Sequence, residues 1–177
     1  MKFDNHKDGF TEMMQKGLIQ KILKATMIDH CNPNGFPTAM TSLGADKQGE
    51  PVQKSWSCRA VCGMLLHLST NTHADTAHTV SQVCRFGHQP TKKHDTTAKT
   101  TIRHPKGAQD KGIIFCPSKW FELDFCADTN FCGLFKHEDD RNPDSARSRT
   151  QHVILLNGCL VLWKLISAAT ADQLEHA

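Results

Sequence analysis

A chain of 177 residues and 19.8 kDa has the length of one ordinary domain or two small ones. Hydrophobic residues at 38% and charged residues at 22% exclude a disordered tail but leave a lean core, and a net charge of +3 is too slight to argue for a nucleic-acid partner by itself. No apolar run approaches the roughly 18 residues of a membrane span, and Met1-Lys2-Phe3-Asp4-Asn5-His6 lacks the apolar stretch of a secretory signal. An intracellular protein with no membrane partner is expected.

Residues 12–28 carry Met14, Leu18, Ile19, Ile22, Leu23, Met27 and Ile28 in an approximate helical stripe, with Gly17 at its start or an entry kink. From His30 to Lys54, Pro33, Gly35, Pro37, Gly44, Gly49 and Pro51 punctuate a long connection, read as a linker between modules. Over Ser55 to Ser69, Val61, Met64, Leu65 and Leu68 at i, i+3, i+4 and i+7 give the clearest helix. A second is expected from Asp75 to Phe86, with Ala77, Val80, Val83 and Cys84 inward, Asp75 near its N-cap and Pro90 beyond its end. Residues 91–104 predict a third helix, basic on one side through Lys92, Lys93, Lys99 and Arg103, weakened by its threonines and closed by Pro105 and Gly107.

Beyond residue 110 the apolar period changes to two. Gly112 to Phe115 reads as a short strand. Phe121, Leu123, Phe125 and Ala127 alternate with Glu122, Asp124, Cys126 and Asp128, as in a half-buried strand with an acidic face. Val153 to Leu156 and Cys159 to Trp163 flank Asn157-Gly158, the preferred two-residue hairpin turn, in which both residues take positive φ. Leu165 to Ala177 is Ala-rich and mildly helical. The fold expected is α+β, with helices first and an antiparallel sheet after them.

Cys58, Cys62, His67 and His73 offer zinc-ligand chemistry, but two of them lie on the clearest helix, where half-buried thiols are the simpler reading. The gaps between Cys116, Cys126, Cys132 and His137 match no common zinc module, and Lys136 to Arg141 is a mixed-charge loop. No Gly-x-Ser-x-Gly elbow and no Gly-x-x-x-x-Gly-Lys phosphate loop occurs. Asp128 closes a strand on its polar face. A carboxylate there can ligate one ion of a two-metal nuclease centre, although a strand-end Asp is more often a turn residue.

Several stretches together carry a family resemblance. Ser57-Cys58-Arg59-Ala60-Val61-Cys62-Gly63-Met64-Leu65-Leu66-His67-Leu68-Ser69 is similar to S-Y-R-x-x-V-G-M-L-L-Y-L-S, and Asn71 to Ala77 to N-T-R-P-D-I-A. Ile102 to Gly107 resembles I-R-Y-L-K-G, and Ala127 to Gly133 resembles D-A-D-[WF]-A-G. Ser145 to Thr150, Gly158-Cys159 and Leu162-Trp163-Lys164 continue in order, so the chain resembles copia-type LTR retrotransposon polyproteins over roughly residues 11–170.

The resemblance implies a remnant of the reverse transcriptase end and a linker over 1–54. A helical connection segment would follow over 55–110, and an incomplete ribonuclease H-like antiparallel sheet over 111–177. The parent enzyme copies RNA into DNA and cuts RNA in RNA–DNA hybrids with carboxylates and Mg²⁺. Asp128 matches the first of those carboxylates, and Asp172 takes a glutamate's place if a short deletion follows Lys164. The Tyr-x-Asp-Asp hairpin and the later ribonuclease aspartates are absent.

Tyrosine is missing from the chain, while cysteines number 8 and histidines 11. Cys58, His67, His104 and His152 stand where the family carries tyrosine, a single base change away, so the surplus reads as drift. The expectation is a degenerate, truncated polyprotein fragment with no catalytic activity and no cofactor of its own. A residual nucleic-acid-binding module, using Lys92, Lys93, Lys99, Arg103, Lys106 and Lys111 on an RNA–DNA hybrid or another nucleic acid, is the alternative. A zinc-binding protein is the third reading.

Overall fold

The computed structural model describes residues 1–37, 43, 46, 48–52, 56–118, 120–130 and 149–167. Strands β1 (Lys2–Asn5) and β2 (Thr11–Met14) precede helix α1 (Lys16–Ala25). Helices α2 (Cys58–Asn71), α3 (Ala77–Arg85) and α4 (Lys92–Lys106) follow, with a 3-10 turn over Ala74–Thr76 leading into α3. Strands β3 (Ile113–Phe115), β4 (Leu123–Asn130), β5 (Arg149–Leu156) and β6 (Cys159–Ser167) come last. The mixed α+β class is as expected. Among the described residues the strands form two antiparallel sheets, ordered β1-β2-β3 and β4-β5-β6.

The core forms where the helical stripes meet. Ile19, Ile22 and Leu23 of α1 pack with Val61, Leu65 and Leu68 of α2, Val80 of α3 and Ile102 of α4. Each fully buried aliphatic side chain contributes about 1.5–3 kcal/mol. At the start of α2 the Ser57 hydroxyl accepts from the Ala60 amide at 3.4 Å, capping the helix. A second cluster joins Cys62, Val83, Phe86 and Ala98 to Leu43. The expected linker therefore supplies a core residue. Its backbone also meets the start of α4, where the Lys92 amide donates to the Glu50 carbonyl at 2.9 Å.

Several expectations need correction. The first helix starts at Lys16, because Met13 pairs with Phe3 on one side and Ile113 on the other, making residues 11–14 a central strand. The strand expected at 112–115 exists as β3, but it completes the N-terminal sheet instead of joining the C-terminal one. Gly112 permits that approach, since a Cβ there would lie 2.0 Å from the Met13 carbonyl oxygen.

Pro105 sits inside the last turn of α4, with Gly107 as its C-cap. That late in the helix, proline removes a single donor, the one owed to the Thr101 carbonyl, while its ring is buried. Thr97 and Thr101 satisfy their hydroxyls on the carbonyls of Lys93 and Thr97, at 2.9 and 2.8 Å.

In the C-terminal sheet, Asn157 (φ 52°) and Gly158 (φ 76°) make the expected two-residue turn between β5 and β6. Leu165 to Ser167 extend β6 as strand, where a helix was expected. The rest of the tail lies outside the described residues. The half-buried strand expected over 121–128 is exposed on both faces, with Leu123 at 63% and Phe125 at 64%. The register places these two beside Leu156, Ile154 and Leu162, the last two directly paired. The opposite face carries Val153 and Trp163, and the Trp163 indole donates to the Ser69 carbonyl at 2.6 Å. That bond ties β6 to the end of α2 and leaves β4 at the outer edge.

Candidate functional site

Asp128 lies on β4 opposite Gln151 of β5, and its Oδ2 accepts from Gln151 Nε2 at 3.2 Å. Side chains alternate along a strand, so Asp124 shares its face, but four residues away, about 13 Å. A pair of catalytic ions stands only about 4 Å apart and needs carboxylates converging on both. Cys126, between the two aspartates, pairs with Val153. No second carboxylate therefore faces Asp128 among the described residues, and these residues do not fit a two-Mg²⁺ centre. Asp172 lies outside the described residues, as do Cys132, His137 and the run Lys136 to Arg141.

The basic side of α4 is found as a stripe, since Lys92, Lys99, Arg103 and Lys106 recur at helical spacing. Most of its charge is already engaged. Lys92 pairs with Glu50, and Lys99 with Asp95 at 2.8 Å. Arg103 Nε donates to the Asn32 carbonyl at 2.7 Å, and Lys106 Nζ to those of Asp29 (2.6 Å) and Cys31. The stripe thus fastens residues 29–34 to the helix. Lys93 and Lys111 have no ion pair among the described residues.

The thiols and imidazoles singled out by spacing separate into distinct groups. Cys58 and Cys62 are one turn apart on α2, with sulfurs 3.9 Å apart. His67, further along the helix, is exposed beside Asn71, and His73 lies beyond the helix end. Among the described residues no three Cys, His, Asp or Glu side chains are placed to hold one metal ion, and no helix is long and apolar enough to cross a membrane.

Two groupings were not legible in the sequence. Cys84 of α3 comes against Cys62, its sulfur 3.7 Å from the Cys62 carbonyl oxygen. Asp75 stands between His104 (2.6 Å) and His73 (3.7 Å). The imidazoles come from positions with no shared periodicity. His73 is only 5% exposed, and its Nε2 has no hydrogen-bond partner among the described residues. Burial alone would raise the Asp75 carboxyl. Hydrogen bonds and charge from His73 and His104 outweigh it and hold the group down at about 2.

A cleft of about 1070 Å³ opens beside the start of α2, lined among others by Trp56, Cys58, Arg59, His88, Thr91 and Asp95. Trp56 Nε1 donates to Asp95 Oδ1 at 2.9 Å, bridging the start of α2 to α4 across it. No family model, curated protein or solved structure matches the chain.

Proposed function

We propose that this chain is a diverged piece of a copia-type retrotransposon polyprotein and does not cut RNA by itself. It would run from the end of the reverse transcriptase region, through the helical connection, into the start of a ribonuclease H-like domain. The ordered motif series is the basis for the family. The observation that carries the inactive reading is the setting of Asp128, an exposed strand carboxylate whose facing neighbour is an amide. One acidic side chain cannot offset the desolvation of two divalent ions or fix their positions.

The test is an assay of the purified chain on an RNA–DNA hybrid with Mg²⁺. Cleavage no greater than that of Asp128→Asn is expected. Mg²⁺-dependent cleavage that Asp128→Asn abolishes overturns the reading.

A residual nucleic-acid-binding role is the second reading. The observation in its favour is the single-sided stripe on α4, with Lys93 and Lys111 outside any ion pair among the described residues. Four cations held by Glu50, Asp95 and loop carbonyls must exchange those partners before they meet phosphates, which keeps this reading second.

A further inference from the structure

Three thiols converge where α2 packs on α3. Cys58 and Cys62 stack one turn apart, and Cys84, near the end of α3, packs against Cys62. Cys62 is 7% exposed, whereas Cys58 and Cys84 are half-buried. Cys58 also lines the cleft, whose wall carries Arg59. Cys84 does not line that cleft, so an oxidant meets it through its own half-exposed surface.

We propose that these cysteines form a thiol–disulfide site, in which a small-molecule disulfide such as oxidised glutathione converts Cys62 and Cys84 into a bond stapling α2 to α3.

The Cys84 thiolate attacks one sulfur of the small disulfide, forming a mixed disulfide and releasing one small thiolate. Cys62 then loses its proton and attacks the Cys84 sulfur, releasing the second small thiol. Two protein thiols are oxidised, and one small disulfide is reduced to two thiols. The surroundings divide the roles. A hydrogen bond from Cys62 lowers the Cys84 thiol against the effect of burial, favouring the attacking thiolate. The same bond, then burial, raises Cys62, which stays a thiol until the mixed disulfide is beside it. Burial pushes Cys58 up to about 12, so the thiol lining the cleft is the poorer nucleophile.

The Cys58 and Cys62 sulfurs lie 3.9 Å apart but make the worse pair. A disulfide needs Cβ atoms about 3.8 Å apart, and side chains one turn apart on a helix hold theirs at about 5–6 Å. Cys62 and Cys84 sit on different helices, whose packing can adjust.

The full chain is treated with oxidised glutathione, quenched with N-ethylmaleimide and mapped by peptide mass spectrometry. The expected product is a Cys62–Cys84 linked peptide that dithiothreitol reverses, with a higher midpoint of thermal unfolding in the oxidised protein. In Cys62→Ala, a stable glutathione adduct on Cys84 is expected. Adducts confined to the exposed Cys116 and Cys126, or a Cys58–Cys62 link, overturn the proposal. The wild-type mapping requires no variant to fold.

Discussion

His104 Nε2 lies 2.6 Å from Asp75 Oδ2, while the Nδ1 of the same ring lies 3.2 Å from the Asn34 carbonyl oxygen. Both neighbours are acceptors, and an imidazole supplies two N–H donors only when protonated. The ring therefore lies between three elements: the turn before α3, the end of α4 and the loop at 34. Arg103 and Lys106 fasten the same loop two to five residues earlier.

The first prediction concerns acid. Asp75 is held at about 2, below its ordinary 3.8, with His73 and His104 outweighing burial. A depressed carboxyl stabilises the fold above its unfolded value and loses that contribution as pH falls through its folded value. The loss runs from about pH 4 to about pH 2. Since Asp75 is half exposed, screening limits it to about 1 kcal/mol. Urea midpoints measured from pH 5 to pH 2 should fall in the wild type, and Asp75→Asn should remove that part of the slope. An unchanged slope in Asp75→Asn sinks the assignment.

How much was legible in the sequence depended on the range of each determinant. The helix α2 and the Asn157-Gly158 hairpin rest on neighbouring residues: an apolar stripe with a serine cap, and two turn residues tolerant of positive φ. β2 was read as helix because Met14 continues the stripe of α1. Its strand character comes from pairing with β1 close by and with β3 about a hundred residues later, and no local pattern reports the second. The alternation of β4 correctly indicated a strand yet misjudged its burial, because period two records a pleat and not what covers it. Asp128 was expected to close its strand, but β4 continues through Asn130, because β5 pairs with two further residues. The Cys62–Cys84 and Asp75–His104 encounters depend on helix packing and left no spacing to read.

The second prediction separates free from engaged cations. Affinity for a nucleic acid falls with salt at a logarithmic slope of about −0.9 per phosphate neutralised. If only Lys93 and Lys111 reach phosphates, the slope on an RNA–DNA hybrid is about −2; if all six basic residues do, it is about −5. Filter binding from low to moderate salt should give the shallower value, and Lys92→Ala should leave it unchanged. A slope near −5 would mean the loop releases the helix on binding.

The third prediction is Gly112→Ala. The added carbon would meet the Met13 carbonyl oxygen at 2.0 Å and its carbon at 2.8 Å. Backbone held between two strands cannot yield as a flexible side chain does, so β3 must leave β2. A cost of about 3 kcal/mol is expected. Amide exchange should accelerate at Ile113 and Ile114 while the Leu65 and Leu68 amides of α2 remain protected. Equal loss at both places would mean that the N-terminal sheet and the helices unfold as one unit.

The fourth prediction comes from the end of α1. The Met27 amide donates to the Lys24 carbonyl at 3.2 Å, and the Ile28 amide to that of Leu23 at 3.1 Å. This is the paired closure in which the residue after the C-cap turns left-handed, usually as glycine. Here it is Met27, with φ 57° and its side chain 64% exposed. The left-handed strain, about 1–2 kcal/mol for a residue with a Cβ, has no burial of Met27 to set against it. Ile28 supplies the apolar contact by packing against the core. Met27→Gly should therefore raise the urea-derived stability by about 0.5–1 kcal/mol, after allowing for glycine's greater freedom in the unfolded chain. Met27→Ala keeps the Cβ and should stay within about 0.5 kcal/mol of wild type. Met27→Val adds branching where left-handed backbone tolerates it least and should destabilise. The order Gly above Met, with Ala level and Val below, isolates backbone strain from side-chain packing, and an Ala variant as stable as Gly would refute it.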